Sequence, residues 1–219
     1  MSYVDLHLHL LPGVDDGPPD EESAITFARR LVASGVREAT VTPHVAHARF
    51  PLDVHTIPER TAELRDRLGA AGIPLTLHSG GEIHPAGAAD LDAGELEVIA
   101  NGAPGARWVL LEAPFGGIGT KFLGACAHIR EQGFGMMIAH PERAAGVLRG
   151  GLAMLRPELV AGAVLQISVD SLMGRQGGEA REAAVHLVRS GLAYVVASDG
   201  HGAGRSQTLR DAQGPLHAA

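Results

Sequence analysis

What most limits the fold open to this chain is the order in which short apolar runs and amphipathic stretches follow one another. Residues 3–9 alternate apolar and polar and end in the turn cluster Pro12-Gly13-Val14-Asp15-Asp16-Gly17-Pro18-Pro19, so they read as strand then loop. Acids at Asp20, Glu21 and Glu22 then open a helical period of Ile25, Ala28, Leu31 and Val32 that stops at Gly35. The pairing recurs, with strands expected over 38–42, 74–78, 108–111, 136–139, 164–167 and 193–197 and helices over 58–71, 120–132 and 178–190. Seven β/α units fit in 219 residues. Strands and helices in alternation call for a parallel sheet with crossover helices, closed into a barrel or strongly twisted. No repeat, low-complexity tract or linker divides the chain, so one domain over 1–219 is expected, and 29 Gly and 13 Pro suit many short turns better than one hinge.

Composition removes several classes of function. With 18 Lys and Arg against 25 Asp and Glu the net charge is −7, and no basic run is present, which argues against nucleic acid and anionic membranes as partners. No apolar stretch approaches the roughly 20 residues of a membrane span, and the N-terminus lacks a basic segment of the secretory kind, so no membrane insertion and a cytoplasmic location are expected. A single cysteine, Cys126, excludes an internal disulfide. The side chain left to explain is imidazole, present 12 times in a chain only 4% aromatic.

Ligand-type residues gather where the expected strands end, the place where active sites form in α/β barrels and open sheets. His7 and His9 end the first strand, His44 follows the second, Glu82 the third, and Glu112 ends the fourth; His140 ends the fifth, and Asp199 and His201 the seventh. A His-x-His pair in extended chain puts both rings on one face. Alone, that pair is as often a surface accident as a ligand pair. Asp199-x-His201 has the same parity on the last strand, which a closed barrel would bring beside the first. Glu112 directly follows Trp108-Val109-Leu110-Leu111, so its carboxylate is expected to be buried and to need a cation.

His7-Leu8-His9, Leu11-Pro12-Gly13-Val14-Asp15-Asp16-Gly17, Thr42-Pro43-His44, Gly81-Glu82, Leu111-Glu112, His140-Pro141-Glu142-Arg143 and Ser198-Asp199-Gly200-His201 resemble the PHP (polymerase and histidinol phosphatase) superfamily. Within it they are most similar to the bacterial capsule-type, manganese-dependent protein-tyrosine phosphatases of the CpsB/YwqE group. The resemblance runs from residue 5 to about 210. It implies a distorted (β/α)7 TIM-like barrel with three divalent metal ions at the C-terminal ends of the strands. Carried over by motif, His7, His9, Glu82 and Asp199 would hold the first ion, Glu82, Glu112 and His140 the second, and Asp16, His44 and His201 the third. Arg143 and Arg205 resemble the arginines that contact substrate phosphate. The implied substrate is a phosphotyrosine protein, a bacterial tyrosine autokinase in capsule or exopolysaccharide control.

Four departures from the pattern stand out. The spacing from His201 to Arg205 is one residue short, Ala113 replaces an aromatic, His84 stands where the group often has Arg, and the chain stops at Ala219, soon after the last motif. The last of these leaves self-association into an oligomer open.

Charge counting shows why metals would matter. Asp16, Glu82, Glu112 and Asp199 give an empty site of about −4 that repels a phosphate ester. Three divalent ions would bring it to about +2, and mixed His and carboxylate ligands suit Mn, Fe or Zn. A cysteine-dependent phosphatase needs a Cys-x5-Arg loop, whereas Gln132 lies six residues after Cys126. Two alternatives stay open at this point: a small-molecule phosphomonoesterase of the histidinol-phosphate or nucleotide type, and a non-catalytic metal protein that binds phosphotyrosine.

Overall fold

The computed structural model describes residues 2–202, 205 and 208–218. Among the described residues nine strands run β1 (Tyr3–Leu8), β2 (Val36–Val41), β3 (His44–Val45), β4 (Thr76–Ser79), β5 (Glu82–Ile83), β6 (Trp108–Glu112), β7 (Gly135–Ala139), β8 (Val164–Ser168) and β9 (Ala193–Ala197). Between and after them lie α1 (Glu21–Ser34), α2 (Ile57–Ala70), α3 (Ala93–Ile99), α4 (Thr120–Glu131), α5 (Gly151–Val160), α6 (Val169–Leu172), α7 (Gly178–Arg189) and α8 (Gln213–Ala218). Each pairing between these strands is parallel, in the orders β1-β2-β4 and β3-β5-β6-β7-β8-β9.

The two sheets are one ring with interrupted ribbons. β2 passes through Thr42-Pro43 into β3, and β4 through Gly80-Gly81 into β5, so the expected second and third strands are each split in two. Proline lacks the N–H a ladder needs. A Cβ on Gly80 would lie 2.7 Å from Thr40 Cγ2 and 3.0 Å from Asn101 Nδ2. β9 returns to β1 through the parallel bridge Leu8 to Gly200, with Asp199 N donating to His7 O and His9 N to Gly200 O, both at 3.0 Å. First and last strands therefore meet at their C-terminal ends, as the barrel expectation requires.

Local chemistry sets the helix ends. The Asp20 side chain caps α1 by accepting from Ser23 N at 2.8 Å, and Gly35 at φ 104 closes it in the left-handed conformation that glycine adopts without strain. Asp92 and Glu95 form a reciprocal capping box on α3. Helices α3 and α5 were not legible in the sequence. α3 has only seven residues, and α5 carries Pro157 internally with apolar residues such as Met154 and Val160 exposed, so neither shows a clean stripe.

Strand residues alternate between two apolar environments. Val109, Leu111, Ile138, Leu165 and Ile167 face outward into the main core with Phe27, Leu31, Leu64, Phe122 and Leu187 from the helices. Leu110, Met137 and Ala139 face inward, with Leu6, Trp108, Val164 and Val195 packed on them. The same parity places Glu112 above Leu110 and Gln166 above Val164, so a polar layer lies over the inner apolar cluster at the C-terminal end of the ring.

Candidate metal centre

Two of the residues expected there are aimed by unusual backbone. His140 at φ 33 and Asp199 at φ 50 adopt the left-handed conformation that non-glycine residues avoid. Each stands just past the end of its strand. At the other side, the register of β1 against β2 shifts between Asp5 and Leu8. Asp5 holds this junction, its buried Oδ1 accepting from Ser198 N at 3.0 Å, and burial pushes its pKa up.

Four side chains from three places in the chain converge on one another. His7 Nε2 lies 3.3 Å from His9 Nε2, 3.4 Å from Glu82 Oε2 and 3.5 Å from Asp199 Oδ1. His9 Nε2 is 3.3 Å from Glu82 Oε2 and 3.8 Å from Asp199 Oδ1. Ligands at usual metal distances in tetrahedral array stand roughly 3.3–3.6 Å apart, so these spacings fit a shared cation. Glu82, Glu112 and His140 bring ligand atoms within 4.8 Å of one another, as do His7, His140 and Asp199. His9, Asp16, His44 and His201 form a further set, with Asp16 Oδ1 at 3.5 Å from His44 Nε2 and 3.2 Å from His201 Nε2. All nine expected ligand residues are thus brought together; His9 reaches into the set expected to contain only Asp16, His44 and His201.

The outer faces of three rings determine which nitrogen points inward. His7 Nδ1 is 2.9 Å from Gln166 Oε1, His9 Nδ1 2.7 Å from Asp15 Oδ2 and His201 Nδ1 2.9 Å from the Asp199 carbonyl. With Nδ1 donating, the lone pair of each ring lies on Nε2, the arrangement found behind metal-bound imidazoles. Asp15 also accepts from Gly17 N at 2.9 Å and His44 N at 3.0 Å, tying the first loop to β3. Sequence reasoning singled out neither Asp15 nor Gln166. Asp15 was hidden beside Asp16, while Gln166 did carry a signal, a lone amide inside the apolar run Val164–Ser168.

Electrostatics favour added positive charge. Burial opposes charge on His7, yet Glu82 and Asp199 raise its pKa, and His9 is pushed up to about 10 against burial by its bonds to Asp15 and Glu82. Burial would raise Glu82 and Asp199 too, but His7 and neighbouring cationic groups hold both below the ordinary carboxylate range. Glu112, buried and facing Glu82, is pushed up to about 7. Burial takes His140 down to about 4. Its Nδ1 is buried without a hydrogen-bond partner, and the buried Nδ1 of His44 has only Glu82 Oε2 near it, at 3.2 Å. Acids in want of cations and imidazole nitrogens in want of partners are the donor set a divalent ion satisfies.

Both arginines reach this centre. Arg143 Nη1 donates to Asp199 Oδ2 at 2.8 Å; Arg205 Nη2 donates to the same oxygen at 2.5 Å, and its Nη1 is 3.0 Å from His201 Nε2. The shortened spacing therefore leaves Arg205 at the site. Glu142, between His140 and Arg143, accepts from Ser168 N at 2.9 Å and Ser168 Oγ at 3.2 Å, which anchors the His-Pro-Glu-Arg turn to β8. Ala113 is fully buried, and the aromatic beside this wall is Phe115, 4.6 Å from Arg143 Cζ. His47 and His84 pack edge-on at 4.6 Å, and His47 lies 5.2 Å from the His44 ring. His55, His186 and His217 are exposed, and His128 Nε2 donates to Leu91 O at 2.8 Å, so these four stand apart from the centre. Cys126 is buried in α4, with burial pushing its thiol up to about 12.

Residues 3–214 match the family described as "Capsular polysaccharide synthesis, CpsB/CapC". The tyrosine-protein phosphatase YwqE of Bacillus subtilis (strain 168) is 30% identical over 198 residues, which cover 90% of this chain and 77% of that protein. The candidate tyrosine-protein phosphatase CapC of Staphylococcus aureus is 30% identical over 202 residues, covering 90% of this chain and 76% of the relative. Among solved structures, one described with YwqE from Bacillus subtilis and CpsB from Streptococcus pneumoniae as unique metal-dependent tyrosine phosphatases superposes with TM-score 0.85 at 28% identity, covering 99% of this chain and 87% of that one. A phosphotriesterase homology protein from Escherichia coli shares the fold alone, at TM-score 0.53 and 16% identity, over 89% of this chain and 80% of its own. The chain belongs to the CpsB/CapC family of capsular polysaccharide synthesis.

Proposed function

We propose that this chain is a single-domain, metal-dependent protein-tyrosine phosphatase that hydrolyses phosphotyrosine on a bacterial tyrosine autokinase in the cytoplasm. The observation that carries the reading is the convergence of His7, His9, Glu82 and Asp199 within 3.3–3.8 Å, with Arg143 and Arg205 both donating to Asp199. The relatives' activity points the same way. No helix among the described residues is long and apolar enough to cross a membrane.

Three divalent ions, manganese foremost with iron or zinc as the other candidates, would be held by the sets given above, His7, His9, Glu82 and Asp199; Glu82, Glu112 and His140; and Asp16, His44 and His201. When bound, such ions supply Lewis-acid polarisation of phosphoryl oxygens and activation of the attacking water. The chain's own residues do the rest. His7, His9 and Glu82 are buried and form a floor closed to bulk solvent. Arg143 and Arg205 each carry more N–H donors than their bonds to Asp199 and His201 use, and the remaining donors bind and orient the phosphoryl group. Glu142 keeps Arg143 in place by fastening its turn to β8.

Elemental analysis of the purified protein tests the metal assignment, with two to three Mn, Fe or Zn per chain expected; none retained after incubation with each ion would sink it. Matched phosphotyrosine peptides and small phosphomonoesters then decide the substrate. Arg143→Ala should raise KM about tenfold or more while metal content stays unchanged. Unaltered kinetics in that variant would remove Arg143 from the substrate site.

A further inference from the structure

Phe115 is 52% exposed, and it is held rather than loose. Its carbonyl accepts from Ala145 N at 2.9 Å, and Gly117 N donates to Pro114 O at 3.0 Å to close the turn. Gly117 sits at φ +105, and a Cβ there would meet Ala145 O at 2.8 Å, so the loop after β6 is seated directly on the segment after Arg143. The ring stands 4.6 Å from the Arg143 guanidinium carbon and lies nearly parallel to the His140 ring, centroids 6.0 Å apart at 13°. Tyr194 is also widely exposed, at 79%, but it belongs to the N-terminal end of β9, away from the centre. A fixed, half-exposed aromatic ring is thus in contact with one arginine and one candidate ligand.

We propose that Phe115 is a specificity-determining residue that, with Arg143, forms an aryl-phosphate subsite by packing its exposed surface against the substrate's aromatic ring. The inference rests on the phosphatase reading above. A phenyl ring is separated from its phosphorus by one ester oxygen, so its centre stands within roughly 4–5 Å of the phosphorus, comparable to the guanidinium-to-ring distance here. A phosphoryl group on Arg143 therefore carries an attached aryl ring into the 4.5–7 Å range of offset or edge-on packing with Phe115. A seryl phosphate places only a single methylene there. Because the ring interaction forms on binding and persists through the reaction, its loss should appear mainly in KM.

The test compares phosphotyrosine and phosphoserine peptides of otherwise identical sequence on metal-loaded enzyme, with metal content and melting measured for every variant. Expected for Phe115→Ala is a fall of about tenfold in kcat/KM for phosphotyrosine, carried by KM, and less than a twofold fall for phosphoserine. Phe115→Leu, which keeps apolar bulk beside Arg143, should lose preference in the same direction, and Phe115→Tyr should retain it. Equal losses on both peptides, or no loss on either, would overturn the inference and leave the phosphatase reading standing. A wild-type enzyme with its full metal complement that hydrolyses neither peptide nor any small phosphomonoester would instead overturn the reading itself, and the subsite with it.

Discussion

His7, His9 and His201 each commit Nδ1 to a neighbouring acceptor, Gln166, Asp15 and the Asp199 carbonyl, and the inward nitrogen is defined by that choice. Asp15 serves the most partners, since it also receives the Gly17 and His44 amides. Removing it frees the His9 ring to rotate and loosens the loop bearing Asp16. Asp15→Ala is therefore expected to weaken metal affinity about 10- to 100-fold with little change in helix content, measured by competition against a chelator and by circular dichroism. Wild-type affinity in that variant would show that the His9 orientation is held by packing alone. Gln166 acts in the same way from a strand that carries no candidate ligand, so a strand without ligand-type residues still shapes the site.

At the level of elements, the breaks in two ribbons decide where the carboxylates go. Without the interruption at Gly80-Gly81, β4 would continue past Ser79 on its own parity instead of restarting at Glu82 against β3 and β6. Gly80 lies against Thr40 and Asn101 with no room for a methyl group. Gly80→Ala should cost about 1–3 kcal/mol, as overpacking of a tight site does, read from urea unfolding midpoints. Because Glu82 follows two residues later, the same variant should also hold less metal. A stable variant with full metal content would mean that the ribbon absorbs the methyl group by shifting Thr40.

For the whole molecule, assembly of the parallel ring crowds like charges at one end, where β5 and β6 run side by side. Glu82 and Glu112 face one another, and Glu112 is pushed up to about 7 by burial and by that neighbour. A divalent ion held there would relieve the repulsion and favour the folded state, which would link metal and stability by mass action. Stripping with a chelator should lower Tm by several degrees and abolish turnover together, and adding back Mn should restore both. Turnover lost and regained with Tm unchanged throughout would show that the ring is stable without its ions. The charge balance at the centre makes the first outcome the expected one.

Much of this was readable in one dimension. Alternating β and α periods named the parallel ring, and the ligand types at six of its seven strand ends marked the face that bears the site, because side-chain parity and strand polarity are local properties of the chain. Helix ends at Asp20 and Gly35 were legible for the same reason. What required tertiary structure is whatever depends on partners far apart in sequence. Gln166 behind His7, separated by 159 residues, meets its partner only when the ring closes, and Arg143 beside Asp199, separated by 56, only when β7, β8 and β9 have assembled. The left-handed turns at His140 and Asp199, the splitting of two strands and the seating of Phe115 on the Arg143 segment follow from packing, since no short-range rule favours a non-glycine residue at positive φ or indicates which loop another will touch. Sequence alone determined the residue types and the face they share; the closed fold decided their distances, their tautomers and their charges, because those are set by neighbours that the chain brings together only on folding.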